Sequence, residues 1–152
     1  MKIKLIKFRE DLIAPVRAHY NDAGIDCFAQ EDFELTFFAP GGEVFYNGCV
    51  CKSHDRMLVP LGFGLEIPDG YMAVIKPRSS MNVKGIITQI GTIDSGYRGE
   101  LKAYLINTSN EFYSFKRGDK ICQIVIEPVV VADLVDELGD ERGTGGFGSS
   151  GR

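Results

Sequence analysis

The chain opens with an alternation of polar and apolar side chains, Lys2-Ile3-Lys4-Leu5-Ile6-Lys7-Phe8. A period of two is the mark of a strand with one face buried. Short runs of the same kind recur almost to the C-terminus. They predict strands over 2–8, 24–29, 33–38, 57–67, 71–76, 86–91, 100–106, 120–126 and 129–135. Turn signals separate them, among them Ala39-Pro40-Gly41-Gly42, Pro68-Asp69-Gly70 and Lys116-Arg117-Gly118-Asp119. One or two helical turns fit around Ser79 to Lys84, and no segment carries a long capped helical period. Many short strands with turns between them point to an all-β sandwich, barrel or jelly roll. No internal repeat or linker divides the chain, so residues 1–138 read as one β domain.

Two stretches fall outside this pattern. Residues 39–56 are an irregular insertion rich in Gly and polar residues, expected to form a long hairpin or surface loop. Residues 139–152 are Gly-rich and polar, with Phe147 almost their only apolar side chain, and are expected to be a mobile arm. A lone ring among glycines and hydroxyls suits a segment that wraps a ligand and stacks on it.

Charge narrows the function. The formal net charge is −4, which argues against a general nucleic-acid surface. An anionic ligand would have to meet a local basic cluster. No apolar run reaches about 18 residues, so no membrane span is expected. The N-terminus reads as a strand and not as a signal peptide, which favours the cytoplasm. Cys27, Cys49, Cys51 and Cys122 lie in strand-like contexts and read as buried free thiols. Cys49, Cys51 and His54 offer three zinc ligands, but the spacing is tight and no fourth follows.

Chemistry concentrates in five strings. The most informative is Gly91-Thr92-Ile93-Asp94-Ser95-Gly96-Tyr97-Arg98-Gly99-Glu100. Ile90 and Ile93 flank a Gly-Thr pair, which predicts a tight hairpin tip. A glycine there lets a ligand reach the backbone, whose N–H and C=O groups can read a flat polar ring. Asp94 adds a base and Tyr97 a platform, although a turn Asp is also common on structural grounds alone. Pro77-Arg78-Ser79-Ser80 follows a strand and offers a guanidinium and two hydroxyls to an anion. Its plainer reading is a capped helix start with a structural ion pair. Ala23-Gly24-Ile25-Asp26 brings a carboxylate that can face a metal's water shell or simply close a turn. Gly118-Asp119-Lys120-Ile121-Cys122-Gln123 turns into an apolar strand with Gln123 on its polar side. Arg142-Gly143-Thr144-Gly145-Gly146-Phe147-Gly148-Ser149-Ser150-Gly151 has the composition of a phosphate loop, but not the Walker A or Rossmann spacing.

Taken in sequence order, the five strings resemble the five motifs of the trimeric dUTPases, and the resemblance runs from Ala23 to Gly151. It implies a distorted jelly-roll, β-clip-like subunit assembled as a homotrimer, with active sites shared between subunits and covered by the arm. It implies Mg²⁺-dependent hydrolysis of dUTP to dUMP and pyrophosphate, which limits uracil incorporation into DNA and supplies dUMP for dTMP synthesis. By this resemblance Asp94 would orient and activate the water that attacks the α-phosphorus. A carboxylate is a weak base near neutral pH, so its contribution would lie mainly in positioning. Mg²⁺ would be held mainly by the phosphates, with Asp26 acting through metal-bound water.

The other roles carry over by position. Arg78, Ser79, Ser80 and Gln123 would hold phosphates. The backbone of Gly91, Thr92 and Ile93 would read uracil and exclude the thymine methyl. Tyr97 would pack under the deoxyribose, and Lys102 would extend that pocket. Phe147 would stack on the base while Arg142, Gly148, Ser149 and Ser150 close over it. Ile25, Cys27 and Ser80 depart from the usual motifs, and the 39–56 insertion is longer than a minimal member needs. Neither rival fits as well. A dCTP deaminase, of related fold, would place a catalytic Glu where this chain has Ala103-Tyr104-Leu105. A non-catalytic nucleotide-binding β-trimer would not need Asp94, Tyr97, Arg142 and Phe147 together.

Overall fold

The computed structural model describes residues 1–37 and 55–136 in full, and residues 43–46 and 49–52 as backbone. The strands in chain order are β1 (Lys4–Lys7), β2 (Ile25–Phe28), β3 (Phe33–Leu35), β4 (Glu43–Tyr46), β5 (Cys49–Lys52), β6 (Arg56–Pro60), β7 (Phe63–Glu66), β8 (Tyr71–Lys76), β9 (Ile86–Thr88), β10 (Gly91–Ile93), β11 (Lys102–Asn107), β12 (Tyr113–Phe115) and β13 (Lys120–Pro128). One short helix, α1 (Ser79–Val83), interrupts them. The described chain is thus all-β, and none of its helical segments is long and apolar enough to cross a membrane. Cys49 and Cys51 fall on β4's partner strand β5, within the insertion, whose two strands pair as an antiparallel hairpin. His54 lies outside the described residues.

The pairings are antiparallel throughout, in small sheets. The largest has the order β10-β8-β13-β2, and a three-stranded sheet has the order β6-β11-β9. β13 organises the first, because it pairs with β8 on one side and β2 on the other. Cys122 and Ile124 point into the core while Gln123 stays half-buried on the opposite face. Leu35, Leu61, Phe63, Ile86 and Leu105 fill the core from the other strands. Burying each such side chain contributes about 1.5–3 kcal/mol. Cys27 and Cys122 are free and fully buried, opposite each other across β2 and β13. Hydrogen bonding to Cys122 and burial hold the Cys27 thiol well above its ordinary pKa, so it serves as a small apolar side chain.

Three expectations change. The strand predicted over 57–67 divides at Gly62, whose φ of +76° suits a residue without Cβ. The break sends the chain from pairing with β11 to pairing with β1. The strand predicted over 86–91 also divides: β9 pairs with β11, whereas Gly91–Ile93 forms β10 and pairs with β8. Gly91-Thr92 is therefore an edge strand and not a hairpin tip, because tertiary pairing overrides the local turn signal. The strand predicted over 129–135 does not form. Val129 donates to the Gly70 carbonyl (2.9 Å), after which Val130, Val131 and Leu134 are each at least 85% exposed. The run is apolar and β-branched, but it pairs with no strand of the described chain.

Two buried polar side chains replace backbone partners. Asn107 donates to the carbonyls of Thr36 (2.9 Å) and Glu111 (2.7 Å) and accepts from Ser109. Gln30 accepts from the Ile13 N–H and donates to the Ile13 and Phe28 carbonyls, at 3.0, 3.0 and 3.2 Å. It acts as a one-residue strand for the coil between β1 and β2. Gln30→Leu, nearly isosteric, leaves both Ile13 groups without this partner and is expected to cost about 2–3 kcal/mol, read from urea unfolding.

Candidate active site

β10 lies at the edge of its sheet, so one row of its backbone N–H and C=O groups faces away from β8. A Cβ built on Gly91 would meet nothing within 4 Å, so this edge is open to a ligand. Just beyond Ile93, Asp94 to Tyr97 make a turn closed by the Tyr97 N–H on the Asp94 carbonyl (3.1 Å). The result is a pocket of about 300 Å³ that gathers Gly91, Thr92, Ile93, Asp94, Tyr97 and Lys102, with Ile75, Glu100 and Leu101 completing the wall. Asp94, Thr92 and Lys102 are exposed, whereas Ile93 is 7% exposed and anchors the strand in the core. An exposed carboxylate beside an open backbone edge and a half-exposed ring can place a water against a bound planar ligand.

A second group forms around Asp26. Its side chain is 13% exposed, and its two oxygens take Arg78 Nε (2.9 Å) and Lys120 Nζ (2.8 Å). Arg78 occupies the N-cap position of α1 with extended backbone, and it also reaches the Lys120 carbonyl (3.2 Å) and Ser80 Oγ (3.4 Å). Arg78, Ser80, Lys84 and Lys120 face a pocket of about 210 Å³ with Asp119 at its side. Three cations against two carboxylates leave this surface electropositive, which suits phosphate. Gln123, opposite Asp26 in register, donates to the Pro77 carbonyl (2.8 Å). Gly24 makes room for it, since a Cβ there would fall 1.9 Å from Gln123 Oε1. Ser79 begins α1 and is exposed.

The two groups do not meet on one chain. β10 and β2 are opposite edges of the four-stranded sheet, about 14 Å apart at ordinary strand spacing. Asp26 and Ile93 also align with Lys76 and Ala73 of the intervening strands, about 10 Å apart along them. Arg142, Phe147, Gly148, Ser149 and Ser150 lie outside the described residues.

Among the described residues no three His, Cys, Asp or Glu side chains converge as a metal cage. Asp26 already serves two cations. This donor set fits a Mg²⁺ that arrives with a phosphate ligand and reaches Asp26 through water. It does not fit a cage supplied by the protein alone. Lys120 and Glu100 escaped the sequence-based assignment. Lys120 stands inside the Gly118–Gln123 string, where its charge was the available signal. Glu100 ends the Asp94 string with no local signal of its contact with Gly62.

A family model described as dUTPase matches residues 10–151. The chain belongs to the dUTPase family. The deoxyuridine 5'-triphosphate nucleotidohydrolase of Wolbachia sp. subsp. Drosophila simulans (strain wRi) is 41% identical over 160 residues, covering 100% of this chain and 95% of that protein. The protein of the same description from Nautilia profundicola is 40% identical over 158 residues and is covered in full by the match, as is this chain. Among solved structures, a variant of the phage 80alpha dUTPase superposes with a TM-score of 0.76 at 25% identity over 98% of both chains. The dUTPase from phage phi11 of S. aureus superposes with a TM-score of 0.74 at 21% identity, over 94% of this chain and 99% of that one, a likeness of fold. Within this dUTPase-family chain, Asp26→Asn would leave Arg78 and Lys120 sharing a neutral partner. The expected cost is about 1–2 kcal/mol in urea unfolding, less than for a fully buried pair because both cations keep solvent contact.

Proposed function

We propose that the protein hydrolyses dUTP to dUMP and pyrophosphate with Mg²⁺, as a dUTP diphosphatase that limits uracil in DNA and supplies dUMP. The observation that carries this reading is the single pocket holding Asp94, the open edge of Gly91–Ile93 and Tyr97, in a chain of the dUTPase family. The β10 edge presents backbone donors and acceptors to the uracil ring, taking the part expected of a hairpin tip. Tyr97 packs beneath the deoxyribose, with Lys102 beside it. Asp94 holds the attacking water in line with the α-phosphorus and takes its proton as the new bond forms. Arg78, Ser79, Ser80 and Gln123 hold the phosphate chain, and Lys120 adds a cation to that set. Mg²⁺ bound to the triphosphate supplies charge neutralisation for the pyrophosphate leaving group.

The separation of the two half-sites supports a homotrimer in which β10 of one subunit faces the Arg78–Asp26 group of another. Exposed apolar side chains are available for such an assembly: Val130, Val131 and Leu134 after β13, and Leu58 and Ile87 on the outer face of the β6-β11-β9 sheet. Each subunit is a jelly-roll-like domain over residues 1–138. Residues 139–152 form the arm, which brings Phe147 onto the base and Arg142, Gly148, Ser149 and Ser150 over the substrate, excluding other water. The enzyme works in the cytoplasm. A deaminase reading finds no support in β11, where Ala103 and Leu105 are core residues and Tyr104 lies between them.

Pyrophosphate release is expected from dUTP and not from dCTP, dTTP or UTP, and chelation of Mg²⁺ should abolish it. Asp94→Asn should lower kcat about a hundred- to ten-thousand-fold with little change in KM. Turnover of all four nucleotides alike, or an unaffected Asp94→Asn, would refute the assignment. Deleting residues 140–152 should leave a folded trimer by light scattering whose kcat for dUTP falls about a hundredfold. Unchanged turnover in that truncation would remove the arm from the mechanism.

A further inference from the structure

Glu100 lines the Asp94 pocket, and one oxygen of its carboxylate is engaged within the protein. Its Oε1 accepts the N–H of Gly62 at 2.9 Å. Gly62 sits in the break between β6 and β7 with φ +76°, and its own carbonyl accepts the Phe8 N–H (2.9 Å). On either side of that glycine, the Leu61 N–H donates to the Leu101 carbonyl (2.9 Å) and the Leu101 N–H to the Phe63 carbonyl (2.8 Å). A Cβ on Gly64 would lie 2.6 Å from the Gly99 carbonyl oxygen, so residues 99–101 rest directly on residues 61–64. The carboxylate closes this joint by satisfying a donor on a buried residue of the turn.

The backbone of Glu100 does a second thing. Its carbonyl accepts the Tyr97 hydroxyl at 3.1 Å. The Tyr97 ring is folded down over Gly99, where a Cβ would stand 2.3 Å from the hydroxyl oxygen and 2.6 Å from the carbon bearing it. The ring is nevertheless 47% exposed and borders the pocket. Gly99 therefore provides the bed on which the ring lies, and Glu100 provides the tether. The backbone of the same residue is joined to that of Asp94 through the turn hydrogen bond described above.

We propose that Glu100 is a positioning residue for this site: through Gly62 and the Tyr97 hydroxyl it fixes the height of the aromatic platform, and so sets discrimination between deoxyribose and ribose. The inference rests on the dUTP-hydrolase reading. A ring held down on Gly99 leaves a fixed space under the sugar. A ring free to lift or tilt by a fraction of an ångström changes how the sugar seats and how the 2′ position is crowded. Because the action is indirect, the charge of Glu100 is dispensable and its acceptor oxygen is not.

The test compares kcat/KM for dUTP and UTP in wild type, Glu100→Ala, Glu100→Gln and Gly99→Ala. Loss of one well-made hydrogen bond predicts a fall of about tenfold in the dUTP/UTP ratio for Glu100→Ala, with the ratio recovered in Glu100→Gln. Gly99→Ala, which pushes the ring from the other side, should lower the ratio as well. In the ligand-free protein labelled with fluorotyrosine, the Tyr97 ¹⁹F resonance should shift or broaden in Glu100→Ala and return to its wild-type position in Glu100→Gln. A ratio unchanged in folded Glu100→Ala overturns the proposal. So does a Glu100→Gln variant as impaired in kcat as Glu100→Ala, since the carboxylate would then act by its charge. A wild type that turns over no dUTP would sink the hydrolase reading, while the ¹⁹F spectra would still decide whether the Glu100 side chain positions Tyr97.

Discussion

The register of β13 is the constraint on which the rest of the molecule depends. This nine-residue strand hydrogen-bonds to β8 and β2 at once. It places Cys122 and Ile124 in the core and Gln123 on the opposite face. A slip of one residue would bury Gln123 and expose the core side chains, so the register is held by hydrophobic burial on both flanks. That register sets Gln123 opposite Asp26 on one side and Lys76 on the other. Arg78 follows Lys76 by two residues, and its guanidinium falls on Asp26. The electropositive cluster of Arg78 and Lys120 about Asp26 is thus a consequence of sheet pairing and not of a preformed loop.

The Asp94 half depends on different joints. Gly62 breaks a strand, and the break lets residues 61–63 grip residues 99–101. That grip carries the turn from Asp94 to Tyr97, so the aromatic platform and the carboxylate are anchored to the core through backbone hydrogen bonds. The two groups stand at opposite edges of one sheet.

Much of this was legible in linear order. Alternating runs marked most strands, because burial on one sheet face imposes period two whatever the strand's neighbour. The Asp94, Arg78 and Asp26 strings drew notice for their chemistry, and the fold puts Asp94 at one pocket and Arg78 with Asp26 in a separate group. The hairpin at Gly91-Thr92 and the strand over 129–135 were misread for a common reason. Local signals of turn and of β-branched, apolar composition report what a segment can do, whereas pairing is decided by which edge is available. Glu100 was passed over because its partner Gly62 is distant in sequence, and nothing near either residue announces the contact.

The sequence by itself determined the all-β class, the apolar faces, the five strings and, through them, the dUTPase family. These are properties of local residue order, and they survive without coordinates. Only the tertiary structure decided that Gly91–Ile93 is an edge strand, that Asp26 is occupied by Arg78 and Lys120, that the two half-sites stand apart, and that Glu100 supports Tyr97. Each of those depends on hydrogen bonds and ion pairs between segments far apart in the chain. Such contacts are selected by the packing of the whole core, which no local pattern encodes.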